Sequence, residues 1–103
     1  GTDMKKGDKY AMDNSPIRFM PGFVCATPAV LEVLSQERLL RLLDRHLHGD
    51  WGDTCAADQQ ANERAIREGS RILSWYQLSG KIRVLIITEA DRSITTIMLA
   101  DEY

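Results

Sequence analysis

Between Ser35 and Gly49 the chain places Leu39, Leu40, Leu43 and Leu47 at three- and four-residue steps, while Arg38, Arg41, Asp44 and Arg45 take the opposite side. That spacing predicts one apolar stripe along an α-helix. Ser35 stands where a side-chain oxygen caps the first turn, and Gly49 where a left-handed residue ends the last. Thr27-Pro28 is a second helix start and predicts a short helix over Pro28–Leu34. A third helix begins near Ala56 or Asp58, turns Ala61, Ala65 and Ile66 inward, and stops before Gly69. Ahead of the helices, Ile17, Phe19, Phe23 and Val24 around the Pro21-Gly22 break predict a short extended segment. Past Gly69 the period shortens, and Arg71–Leu78, Lys81–Glu89 and Ser93–Leu99 are rich in Ile, Val, Thr, Leu, Trp and Tyr. These are three strands. Their connections, Ser79-Gly80 and Ala90-Asp91-Arg92, are short enough to make neighbours antiparallel. The predicted fold is α+β: about three helices packed on a three- to four-stranded antiparallel sheet that ends in a C-terminal meander. Lys81–Glu89 is apolar on both sides, with Ile82, Val84 and Ile86 on one and Leu85 and Ile87 on the other. A strand of that kind needs cover on each face, from the N-terminal segment or from a second copy of the chain.

Length adds that there is one core, because 103 residues are too few for two. The first fifteen residues combine glycines, aspartates, Asn14 and Ser15 with few apolar groups and are expected to be a flexible tail, leaving residues 16–103 as the domain. The longest apolar run, Val84–Ile87, is far below the roughly 20 residues that span a bilayer, so no membrane span is expected. Lys5, Lys6 and Lys9 are not followed by a hydrophobic segment, which makes the cytoplasm the expected compartment. Cys25 and Cys55 belong to no Cys-x-x-Cys pair and are expected as reduced thiols. Thirteen basic against fifteen acidic residues give a charge of -2, so nucleic acid is a partner that charge does not favour.

Candidate chemistry gathers in two places. His46, His48, Asp50, Asp53 and Cys55 form the densest polar region, but two histidines two residues apart point about 200° apart on a helix, unlike a metal-binding pair. No metal and no cofactor is expected; the basic groups complement a helix C-terminus, and Asp50 and Asp53 order a turn. The second place is the corner Thr88-Glu89-Ala90-Asp91-Arg92-Ser93 with Thr95 and Thr96, whose carboxylates, guanidinium and hydroxyls suit a phosphate or acid–base work. Read plainly, Asp91 makes a turn and pairs with Arg92. Asn62, Arg64, Arg67 and Arg71 stand near enough in sequence to face the same side, and Trp51, Trp75 and Tyr76 suit the core or its edge better than a base-stacking surface. Glycine-rich phosphate loops, Gly-x-Ser-x-Gly and His-Glu-x-x-His are absent from the sequence.

Several of these segments together, namely Gly49-Asp50-Trp51-Gly52-Asp53, Asp58, Ala61-Asn62, Gly69 to Ser74 with Tyr76, Ile86 to Ser93 with Thr95-Thr96, and Glu102-Tyr103, resemble a family of small bacterial plasmid-related or phage-related proteins. Some members are labelled type I restriction endonuclease subunit M. The resemblance covers about residues 23–103 and implies a mobile-element setting. A methylase would require a doubly wound sheet with a glycine-rich cofactor turn and an Asn-Pro-Pro-type tetrapeptide, and the sequence has neither. The element order is also similar to small ribonuclease toxins related to RelE and barnase, a likeness under which His46, Arg71, Glu89 and Arg92 are the catalytic candidates. The expectation is a non-enzymatic interaction or regulatory module whose partner is a protein or a second copy, with Asp50, Trp51, Asn62, Thr88, Asp91, Arg92 and Thr95 as candidate binding residues. A small ribonuclease is the alternative.

Overall fold

A computed structural model describes residues 15–103; the predicted tail falls outside the described residues apart from Ser15, which is exposed. Strand β1 (Phe23–Ala26) is followed by helices α1 (Pro28–Val33), α2 (Gln36–Leu47) and α3 (Ala56–Glu68). Strands β2 (Ile72–Gln77), β3 (Arg83–Thr88) and β4 (Ile94–Leu99) follow, then a 3-10 turn over Ala100–Glu102.

The caps read from the sequence are in place. Thr27 Oγ1 accepts from the Val30 N–H at 3.3 Å and Ser35 Oγ from the Arg38 N–H at 3.2 Å, so α1 must end where the cap of α2 begins. The inward face of α2 is Leu39, Leu42, Leu43, His46 and Leu47. Leu40, expected inside, is exposed, because Leu42 together with Leu39 and Leu43 completes the stripe that faces the sheet. In α3 only Asn62 and Ala65 are buried, while Ala61 and Ile66 are half-buried. Small residues on that side bring the helix close to the edge of the sheet.

Strand order is β1-β4-β3-β2. The last three strands form the expected meander, but β1 pairs with β4 in parallel, from Phe23 opposite Ile94 to Ala26 opposite Ile97, so the sheet is mixed. The reason is connectivity: β1 reaches its neighbour through three helices and two strands rather than through a tight turn, and only a tight turn forces antiparallel pairing. All three helices pack on one face, where Ile72, Tyr76, Val84, Ile86 and Ile97 meet Val30, Leu34, Leu39, Leu43, Leu47 and Ala65 in one cluster. By pleat alternation the other face carries Phe23 and Cys25 of β1, Leu73 and Trp75 of β2, Leu85 and Ile87 of β3, and Ile94, Thr96 and Met98 of β4. Leu85 and Ile87 are buried at its centre.

The two edges of this sheet differ. Along β2, the Asn62 side chain donates to the Leu73 carbonyl at 2.8 Å and accepts from the Leu73 N–H at 3.2 Å, as a neighbouring strand would. Further along, the Asp53 N–H donates to the Trp75 carbonyl at 2.8 Å, and Asp53 Oδ2 accepts from the Gln77 N–H at 2.7 Å. The β2 edge is sealed. Gly52 permits this approach, since at φ +73° a Cβ there would run into the Trp75 carbonyl and the Tyr76 ring. Gly22 does the same for β1, lying at φ +67° against the backbone of Arg92 and Ser93.

Asn62→Ala strips both partners from the Leu73 backbone and is expected to lower unfolding stability by about 2 kcal/mol or more. Gln77→Ala, at an exposed position of the same strand, is expected to change it by less than about 0.5 kcal/mol. Urea titrations followed by circular dichroism measure both, and equal effects would show that Asn62 does not carry the edge.

Candidate functional site

The polar residues singled out in the sequence fall into three environments. The first is the core. His46 is fully buried and bridges two strands: its Nδ1 lies 2.6 Å from Ser74 Oγ and its Nε2 3.0 Å from Thr88 Oγ1. Thr88 Oγ1 lies 2.7 Å from Thr95 Oγ1, which donates to the Pro21 carbonyl at 2.7 Å. Each hydroxyl has one proton, so the directions follow from that last acceptor. Thr95 spends its proton on Pro21 and therefore accepts from Thr88; Thr88 in turn accepts from Nε2–H, which leaves Nδ1 to accept from Ser74. His46 is thereby assigned the neutral Nε2–H tautomer.

Burial alone lowers the His46 pKa from 6.5 to about 3. No carboxylate is hydrogen-bonded to the ring, whose remaining neighbours are Phe19 edge-on at 5.2 Å and Trp51 at 6.0 Å. His46 therefore does not complement the helix C-terminus as a cation. His48 is the histidine that stands at the helix end: its Nδ1 lies 2.8 Å from the Asp44 carbonyl and 3.4 Å from Asp44 Oδ1, and its Nε2 2.8 Å from the Ser15 carbonyl.

The second environment is the loop after α2. Asp50 accepts from Arg45 Nε at 2.7 Å and from the Gly52 N–H at 3.1 Å, and the Arg45 hydrogen bond holds its carboxyl below the usual range. The Arg45 guanidinium also lies 4.6 Å from the centre of the Tyr76 ring, whose hydroxyl donates to the Asp50 carbonyl at 2.7 Å. Trp51 is buried, stacks on Phe19 at 6.2 Å, and donates its indole N–H to Glu63 at 3.1 Å. Glu63 also receives both arms of Arg18, at 2.7 and 2.9 Å, and Arg18 pulls its carboxyl below the usual range. On its own helix Glu63 stands four residues before Arg67, the spacing of a helical ion pair. Its principal partner instead comes from the N-terminal segment, which no helical spacing could reveal.

The third environment is the β3–β4 corner. Asp91 Oδ1 accepts from the Ser93 N–H at 3.0 Å, the expected turn. Arg92 does not pair with Asp91: at φ 60° it turns its guanidinium back onto the carbonyls of Ser70, Glu89, Ala90 and Ala65 at 2.7 to 3.2 Å, closing the C-terminus of α3. Arg71 and Glu89 are the exposed members, 3.4 Å apart, and Arg71 also donates to the Tyr103 hydroxyl at 3.2 Å.

Of the four catalytic candidates, Arg71 and Glu89 are brought together at the surface. Arg92 lies close by through the Glu89 carbonyl but is committed to backbone acceptors, and His46 sits in the core with its two ring nitrogens engaged. Asp50, Trp51, Asn62, Thr88, Asp91 and Thr95 each have a bonding partner within the fold. Among the described residues no group of three His, Cys, Asp or Glu side chains comes together in a way that could hold a metal ion. No buried side-chain nitrogen or oxygen there lacks a hydrogen-bond partner. Sequence reasoning missed Ser74, although its inward position between Ile72 and Tyr76 is a signal: a hydroxyl facing the core needs a buried partner.

The neutral core histidine sets a pH dependence. Unfolded, it takes up a proton below its ordinary value of 6.5; folded, it stays neutral down to about pH 3. Its contribution is complete above pH 6.5 and falls by about 1.4 kcal/mol for each unit of pH below that. His46→Gln is expected to be less stable at pH 7 but to lose less than the wild-type chain between pH 6.5 and 5, as read from urea midpoints at each pH. Parallel losses would refute the neutral assignment. Comparison of the chain with protein-family models, with curated proteins and with solved structures found no match.

Proposed function

We propose that this protein acts by binding another polypeptide and not by catalysis, as an accessory or regulatory module in the mobile-element setting that its sequence resemblance implies. One observation carries the reading: the residue types able to do chemistry are spent on holding the fold together, while large apolar side chains stand exposed around β1. His46 has no solvent contact, and the Arg92 guanidinium is surrounded by carbonyl oxygens. Arg71 and Glu89 are an exposed ion pair with no histidine beside them, a common surface arrangement. In contrast, Met20 is 65% and Phe23 72% exposed, and Val24 beside them in sequence is exposed as well. Grouped apolar exposure of this kind marks interaction surfaces.

Substituting His46 or Arg92 would damage the fold whatever the function, so the test uses the exposed pair. Bacteria induced to make the wild-type chain, Arg71→Ala or Glu89→Gln to equal levels are expected to grow alike, and purified wild-type chain is expected to leave RNA uncut. Growth arrest by the wild-type chain that Arg71→Ala relieves, with the variant still folded by circular dichroism, would replace this reading by the ribonuclease one.

A further inference from the structure

The free edge of β1 is the one place where the fold leaves strand backbone unpaired beside exposed apolar side chains among the described residues. The Phe23 N–H donates to the Ser93 carbonyl and the Thr27 N–H to the Ile97 carbonyl, both at 3.0 Å. Residues 23, 25 and 27 therefore aim their backbone at β4, and Val24 and Ala26 aim theirs outward. Neither Val24 nor Ala26 has an outward backbone partner among the described residues.

No side chain on this strand guards against pairing. The opposite edge is covered by Asn62 and Asp53, whereas Phe23–Ala26 has no lysine, no proline and no bulge. No charged side chain occurs anywhere from Phe19 to Leu31, in a chain of which 27% is charged. Two such strands meet without like-charge repulsion between their own side chains, and neither strand carries a charge that calls for a complementary partner. A strand that is uncharged, short and open on its outer side is complementary to itself when turned through a two-fold axis.

The geometry points to a second copy of this chain as the occupant, its β1 antiparallel to β1 and the two-fold axis at Cys25; this rests on the binding role proposed above and names the partner. In that register Val24 faces Ala26 of the other copy, and the outward N–H and C=O groups of both residues are all satisfied reciprocally. Cys25 faces Cys25 as a non-hydrogen-bonded pair, with Cα atoms about 4.5 Å apart, on the face away from the helices. Phe23 lies on that same face and Val24 on the helix side, so both faces of the junction bury apolar surface. The two four-stranded sheets become one continuous sheet.

Sedimentation of the full chain at tens of micromolar is expected to give twice the mass of one chain. Val24→Pro removes an outward N–H but none that bonds β4, so it is expected to give a folded monomer. A wild-type monomer at 100 micromolar, or a Val24→Pro dimer, overturns the inference. The register has its own test should Val24→Pro fail to fold. In Cys55→Ser, diamide is expected to take two electrons and two protons from a pair of Cys25 thiols and leave a disulfide-linked dimer, because the predicted separation lies within disulfide reach. A wild-type dimer that does not cross-link through Cys25 overturns the register. A monomer with normal growth of the induced culture leaves the binding role standing with a different protein as partner; growth arrest relieved by Arg71→Ala removes the binding role itself.

Discussion

The hydrogen-bond chain from Ser74 through His46, Thr88 and Thr95 to the Pro21 carbonyl is the interaction on which the arrangement of elements depends. It joins α2 to β2, β3 and β4 and then to the segment that leads into β1. Every member is a polar group taken out of water, so each must keep its partner, and a one-residue slip of any strand would put a hydroxyl on the wrong face and leave a ring nitrogen orphaned. Apolar contacts among Leu39, Leu43, Ile72 and Ile86 supply most of the driving force but tolerate rearrangement. The polar chain tolerates little, and so selects one register from those that burial alone would allow.

Around that centre the remaining polar residues act as joints between segments distant in sequence. Arg18 and Trp51 meet on Glu63 and tie the N-terminal segment and the loop after α2 to α3. Arg92 fastens the β3–β4 corner to the end of α3, and its guanidinium lies 5.7 Å from the centre of the Phe19 ring. Asn62 and Asp53 stand in for a fifth strand beside β2.

Among the described residues the two edges of the sheet are treated differently. Covering β2 takes Gly52 and Asp53 of the loop after α2 and Asn62 of α3. The β1 edge has no such cover among the described residues, and the uncharged stretch that contains it is what a surface needs if it is to be buried on association. Shape and hydrogen bonding, not a reactive group, are the chemistry this surface offers.

The sequence by itself determined the elements. Thr27-Pro28, Ser35, Gly49 and Gly69 mark helix ends through local backbone geometry, and the leucine spacing and alternating strands need only the preceding few residues to be read. It also placed the two thiols apart, and no disulfide links them. Only the tertiary structure decided the parallel pairing of β1 with β4, the choice of Leu42 over Leu40 for the core, and the meaning of the polar residues. His46 was read as a cation or a catalytic base and is a neutral core group; Arg92 was paired with its neighbour and instead binds carbonyls up to twenty-seven residues away. The reason is physical: helix and turn propensities are settled within a few residues, whereas whether a polar side chain reacts, binds or braces is settled by its burial and by partners that the fold brings from elsewhere.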